Sequence, residues 1–192
     1  MNTPTILTER YLTSALLLLG CLFGFVGCLM YANRIFLGGR FFPGNIPWER
    51  GLIGAASVAI WFGFVLLAAV LQAAGEHLFS WIGLGTLALG TVLVVVIEWR
   101  TILAAQTSGA QVTPGWVGLL IWVFVALTFV GQAAFGGALL QTTLLPPWAG
   151  WLVMLWNLTW LAVVIVFSAN NPYYPALFYV GPLVLGILLL RP

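Results

Sequence analysis

The sequence predicts an all-α membrane protein, a polytopic bundle of six transmembrane helices. Six arginines and four glutamates are the only charged residues among 192, which is 5% against roughly a quarter in a soluble domain. Hydrophobic residues make up 62% of the chain, and the mean hydropathy is +1.12. The apolar runs are continuous, whereas the strands of a membrane barrel alternate polar and apolar residues. These observations predict lipid-embedded helices that form a single transmembrane domain over residues 1–192.

Six apolar runs between the charged residues have spanning length, since a bilayer core of about 30 Å needs about 20 helical residues. The first run is longer than the core of a signal peptide and no cleavage site follows it, so we expect it to stay in the membrane. The sixth run is the shortest and contains Pro182. The predicted spans are Tyr11–Tyr31, Leu52–Ala74, Leu78–Trp99, Trp116–Leu140, Trp148–Ser168 and Ala176–Leu190.

The first connection, Ala32–Gly51, combines aromatic and basic residues with glycines and prolines that disfavour one continuous helix. We expect it to lie at the headgroup level, with Phe41, Phe42 and Trp48 buried in lipid and the arginines reaching phosphates. The candidate lipid contacts are Arg34, Arg40, Trp48 and Arg50. An aromatic belt is predicted at the span ends, where Trp48, Trp99, Trp116 and Trp148 fall.

A possible duplication relates the two halves of the chain. Gly20–Gly39 laid over Gly118–Gly137 matches at the Gly-Gly pairs 38–39 and 136–137, and a Pro-Trp follows each, at 47–48 and 147–148. Two copies of three spans would have opposite membrane orientations, as in many transporters. The alternative is that membrane interfaces favour glycine, proline and tryptophan without any duplication.

Gln132, Asn157 and Thr159 are the polar residues deepest in the predicted spans, and Glu98 lies just inside the interface at the end of the third span. Glu98, Gln132 and Asn157 are the candidates for a polar path. An ionisable group within a membrane span is a functional hypothesis by default. Glu98 needs a partner, for which we expect Gln132 or Asn157. In the alternative interpretation Glu98 is an interfacial anchor, and the two amides form interhelical hydrogen bonds worth on the order of 1 kcal/mol each.

Glu76 and His77 separate the second and third spans and are candidate proton-handling residues. The imidazole of histidine titrates near neutral pH. A glutamate at this position also favours the positive end of the following helix dipole. Capping and interfacial solvation therefore account for both residues without a function.

Several classes of site are excluded by composition. One histidine and two cysteines cannot supply a structural zinc site. Cys21 and Cys28 are about 10 Å apart along a helix, too far for a disulfide. A basic patch for nucleic acid is missing. We expect no metal, no cofactor and no catalytic residue.

The segment Gly136–Leu152, Gly-Gly-Ala-Leu-Leu-Gln-Thr-Thr-Leu-Leu-Pro-Pro-Trp-Ala-Gly-Trp-Leu, and the segment Tyr179–Ile187 carry a resemblance. The last third of the chain resembles a broad group of uncharacterised bacterial six-helix integral membrane proteins. Pro147 departs from the pattern, because a basic residue is common there. The resemblance implies six helices and the bacterial cytoplasmic (inner) membrane, and it implies no activity.

Three functional hypotheses follow. The first is a non-enzymatic accessory, scaffold or regulatory module in a membrane assembly, with membrane lipids and other membrane subunits or further copies of itself as partners. The second is a small transporter or channel built from inverted repeats. The third is a membrane enzyme acting on a lipid or isoprenoid, with Glu76, His77 or Glu98 as acid or base.

Overall fold

The computed structural model describes residues 3–41, 45–107, 115–167 and 174–190, and within these ranges it is helical, without a β-strand. Five helices are long and apolar enough to cross a membrane, and the last helix has only ten residues. The protein is therefore a helical membrane bundle. The helices are α1 Thr3–Phe36, α2 Ile46–Ala73, α3 Leu78–Thr107, α4 Gly115–Leu140, α5 Pro147–Phe167, α6 Tyr174–Leu177 and α7 Val180–Leu189.

Helices α1 and α3 end later than predicted, and α1 and α2 begin earlier, at Thr3 and Ile46. Helix α1 ends at Phe36 rather than Tyr31, and α3 ends at Thr107 rather than Trp99. The prediction ended each span near a charged residue, but Arg34 binds Glu49 and Glu98 binds Arg50 inside the bundle. The helices therefore do not need to end where the charges occur. Ser168, the predicted end of the fifth span, lies outside the described residues.

The first connection is shorter than predicted, because only residues 37–45 separate α1 from α2. The carbonyl of Asn33 accepts the N–H groups of Leu37 at 3.0 Å and Gly39 at 3.1 Å, which closes the end of α1. Gly38 and Gly39 have φ values of +58° and +79°, a left-handed conformation that L side chains rarely adopt. Phe42 lies outside the described residues.

The long helices pack in chain order. Each of α1 to α5 contacts the next one, and α7 packs on both α1 and α5, so the helices form a closed ring. Phe64 of α2 and Phe135 of α4 meet inside the ring with their centroids 4.5 Å apart, and both are fully buried. Glycines bring the helices close: a Cβ on Gly20 of α1 would lie 3.0 Å from the carbonyl oxygen of Ala56 in α2.

The predicted sixth span, 176–190, is not one continuous helix. The chain turns at Phe178 and Tyr179, between α6 and α7, and we call these two residues the helix break. Helix α7 is about 15 Å long at 1.5 Å per residue, half the thickness of a bilayer core. The five long helices agree with the prediction, whereas a sixth crossing remains a prediction.

The two halves differ at the residues that indicated a duplication. Gly38 and Gly39 lie in a turn with positive φ, while Gly136 and Gly137 lie within α4. The two Gly-Gly pairs are therefore not structurally equivalent. The Pro-Trp pairs are more alike, since Pro47 lies in the first turn of α2 and Pro147 is the first residue of α5.

Candidate functional site

Four charged side chains meet where the end of α1, the start of α2 and the C-terminal half of α3 come together. We call Arg34, Glu49, Arg50 and Glu98 the ion cluster. Arg34 donates from Nε and Nη2 to the two carboxylate oxygens of Glu49, at 2.8 and 2.9 Å. Arg50 Nε lies 3.0 Å from Glu49 Oε1 without hydrogen-bond geometry. Arg50 Nη1 donates to Glu98 at 3.2 and 3.4 Å.

The cluster is neutral and largely buried. Two arginines offset two glutamates, and the Glu49 side chain is only 2% exposed. Its position in the first turn of α2 favours a negative charge, while Arg34 in the last turn of α1 favours a positive one. Tyr31 adds a cation–π contact to each arginine, at 4.9 Å from Arg50 and 5.3 Å from Arg34. These contacts tie α1, α2 and α3 together.

The prediction that Glu98 pairs with Gln132 or Asn157 was wrong. The carboxylate binds Arg50 of α2, and the amides of Gln132 and Asn157 bind other groups. The sequence also led us to expect lipid phosphates at Arg34 and Arg50, but both guanidinium groups bind carboxylates of this chain. A charge inside the bundle is costly, and a partner held at 3 Å by the fold offsets that cost.

Arg40 and Trp48 lie on the outer surface. Trp48 is 66% exposed, and the guanidinium carbon of Arg40 lies 6.0 Å from the centroid of the exposed Phe41 ring. This placement leaves both residues accessible to lipid, and their lipid contact stays a prediction.

Side chains from three helices cover the carbonyl groups around the helix break. Trp156 of α5 donates from Nε1 to the carbonyl of Leu177 at 3.1 Å. Gln132 of α4 donates from Nε2 to the carbonyl of Phe178 at 3.1 Å. The thiol of Cys21 in α1 contacts the carbonyl oxygen of Tyr179 at 3.3 Å.

Pro182 accounts for the bond from Gln132. In a continuous helix, the carbonyl of residue 178 accepts from the N–H of residue 182, four residues later. Proline has no N–H, so the helix itself cannot satisfy that carbonyl. An unpaired backbone carbonyl in lipid costs several kcal/mol. Gln132 supplies the missing donor from a neighbouring helix.

Gln132 and Asn157 lie close together at the start of α7. A Cβ on Gly181 would be 2.8 Å from Gln132 Oε1 and 3.3 Å from Asn157 Nδ2. Asn157 donates to the carbonyl of Val153 at 2.7 Å. Both amides are buried, and each retains an oxygen without a hydrogen-bond partner. The structure thus brings together two of the three proposed path residues and places Glu98 elsewhere.

A small cavity adjoins the helix break, between α2, α3 and α4. Its volume is about 30 Å³. Polar groups line it beside apolar ones, and the residues at its wall are Ser57, Ile60, Trp61, Leu87, Thr91, Phe124, Thr128, Gln132, Phe178 and Tyr179.

Glu76 lies at the opposite end of α3 from Glu98. Its carboxylate accepts the N–H groups of Phe79 at 2.7 Å and Ser80 at 3.0 Å, which are the capping contacts of the alternative interpretation. The carboxylate is buried, whereas His77 is exposed. Glu76 and Glu98 are about 33 Å apart along the helix axis, so these two carboxylates cannot act on one substrate.

Sequence reasoning missed Glu49 as the centre of the ion cluster and Trp156 as the donor to the Leu177 carbonyl. It also missed the contact of Cys21 with the Tyr179 carbonyl, which already accepts the Leu183 N–H at 2.9 Å. One available signal was Pro182 in an apolar run, which implies a carbonyl that needs an outside donor.

Across the described part of the chain, His, Cys, Asp and Glu side chains form no group of three or more that could hold a metal. Comparison of the chain with protein-family models, with curated proteins and with solved structures gave no match.

Proposed function

We propose that this protein is a non-enzymatic accessory, scaffold or regulatory module of a membrane assembly. The observation that carries the proposal is the use of the buried polar groups by the fold itself. The ion cluster pairs its charges internally, and Trp156, Gln132 and Cys21 are bound to the backbone at the helix break. Polar side chains with these roles hold a rigid shape, which is what a scaffold presents to partners and lipids.

The outer surface supplies candidate contacts. Three exposed tryptophans lie near the helix starts at one end of the bundle: Trp81 of α3 with Trp148 and Trp151 of α5, at 63%, 53% and 50% exposure. These rings fit an aromatic belt at a membrane interface or a contact with another subunit. We place the protein in the bacterial cytoplasmic membrane on the resemblance described above.

Purification from native membranes in a mild detergent tests the proposal. We expect the protein to migrate at a native mass above that of one chain and to retain a partner, or further copies of itself, in a constant ratio. Trp81→Ala combined with Trp151→Ala should release that partner if the rings form the contact. Trp48→Ala, at the other end of the bundle, is the matched control. A protein that always migrates alone at its own mass contradicts the proposal.

A second candidate, a small transporter or channel, is favoured by the interrupted last helix. Transporters commonly place their sites where a membrane helix breaks, and α7 begins beside Gln132 and Asn157. The cavity there is too small for a solute, so transport would require another conformation. Proton flux into liposomes containing a trapped pH dye tests this candidate. Flux that depends on Asn157, compared between the native chain and Asn157→Leu, supports transport, and flux equal to that of empty liposomes contradicts it.

A further inference from the structure

The cavity at the helix break has unpartnered polar atoms in its wall residues. Gln132 Oε1 and Trp61 Nε1 are both buried and neither has a hydrogen-bond partner. Both side chains line the cavity. One atom is an acceptor and the other is a donor, so they need a ligand that can both donate and accept.

The dimensions limit what that ligand can be. A cavity needs about 10–15 Å³ to hold one water molecule, and this cavity offers about 30 Å³. Cavities with an entirely apolar lining stay dry, whereas polar ones hold waters that make two to four hydrogen bonds. Here Ser57, Thr91 and Thr128 belong to the same wall.

The cavity continues the faces of α2 and α3 that carry the ion cluster. Ser57 follows Arg50 by seven residues on α2, and Thr91 precedes Glu98 by seven on α3. Residues seven apart share a helix face, and seven residues rise about 10 Å. The Arg50–Glu98 pair therefore lies about 10 Å from the cavity along one polar strip.

We propose that this cavity is a binding site for one or two water molecules, which complete the hydrogen bonding of Gln132 and Trp61 inside the bundle. The site is independent of the accessory function proposed above. The water accepts from the indole N–H of Trp61 and donates to the amide oxygen of Gln132. A neutral ligand suits the site because its lining carries no formal charge.

Nuclear magnetic resonance of the protein in detergent micelles, with ¹⁵N-labelled tryptophan, tests the site. We expect a cross-peak between water and the Trp61 indole proton, assigned by its loss in Trp61→Phe. The indole proton of Trp156, which is bonded to the Leu177 carbonyl, is the internal control and should show no such cross-peak. If Trp61 shows no more water contact than Trp156, the cavity is dry and the proposal is overturned.

Two variants locate the water. Thr128→Leu fills the cavity and Gln132→Met removes the acceptor at similar length, so each should weaken the Trp61 cross-peak severalfold. Thr101→Val, a change of similar type outside the cavity lining, should leave it unchanged. A cross-peak that survives Thr128→Leu in a folded protein shows that water reaches Trp61 by another route, which also overturns the proposal. If one variant fails to fold, the other decides.

Discussion

At the scale of single residues, four of the ten charged side chains of this protein form the ion cluster inside the bundle. A charged side chain without a partner is costly inside a membrane bundle. Glu49 is the central member, because it accepts two bonds from Arg34 and lies 3.0 Å from Arg50. Its removal leaves Arg34 without this carboxylate and Arg50 with Glu98 alone.

Glu49→Gln should lower the free energy of unfolding by about 3–5 kcal/mol, the usual cost of breaking a buried ion pair. Glu98→Gln should cost less, since its contacts to Arg50 are longer, at 3.2 and 3.4 Å. Denaturant unfolding in detergent, followed by tryptophan fluorescence, measures both. Equal costs for the two variants would contradict the central role of Glu49.

A double variant separates the ion pair from simple packing. Arg34→Met with Glu49→Met removes both partners and leaves Arg50 with Glu98, so the net charge of the cluster stays zero. We expect the double variant to cost less than the sum of the two single variants, by the coupling energy of the pair. The same unfolding measurement on all four proteins gives this coupling, and strict additivity would mean that the pair contributes none.

Among the helices, the last one depends on donors from its neighbours. Gln132→Met leaves the carbonyl of Phe178 unpaired, and we expect a loss of about 1–3 kcal/mol. Pro182→Ala supplies the missing N–H, so in that background the same change should cost much less. Thermal unfolding of the four proteins tests this rescue. A cost that is unaffected by Pro182→Ala would show that Gln132 acts by packing rather than by capping.

Glycines determine how closely the helices approach. A Cβ on Gly136 of α4 would lie 2.6 Å from the backbone nitrogen of Met154 in α5, whereas Gly54 of α2 has open space around it. Gly136→Ala should therefore force α4 and α5 apart and destabilise the protein by about 1–3 kcal/mol or more. Gly54→Ala should be neutral or stabilising by up to about 1 kcal/mol. Melting temperatures that change equally in both variants would contradict the close packing.

For the molecule as a whole, the last crossing determines the topology. If α6 and α7 together cross the bilayer, both chain ends lie on one side. Impermeant maleimide should then label a cysteine appended after Pro192 on the same side as His77→Cys and opposite Leu37→Cys. The background is Cys21→Ala with Cys28→Ala. If the appended cysteine is labelled from the same side of the membrane as Leu37→Cys, the chain crosses the bilayer five times instead.

The solvent of this protein and the presence of its five long helices follow from its sequence alone. Hydropathy is a sum over neighbouring residues, so composition is enough to place the five long helices in lipid. The predicted start of the third span, Leu78, is the first residue of α3. Gly75, which lies between α2 and α3, has a φ of +95°. Glu76 then caps α3 through contacts only three and four residues away.

The pairing of polar groups, by contrast, is set by the tertiary structure. Arg50 and Glu98 are 48 residues apart in the chain, and Gln132 and Phe178 are 46 apart. Such pairings depend on which helix faces approach each other, and a helix that is apolar on every side does not reveal its inner face in its sequence. The break at Phe178–Tyr179 is also a tertiary feature, because the carbonyls of Leu177 and Phe178 take their donors from Trp156 and Gln132 on neighbouring helices.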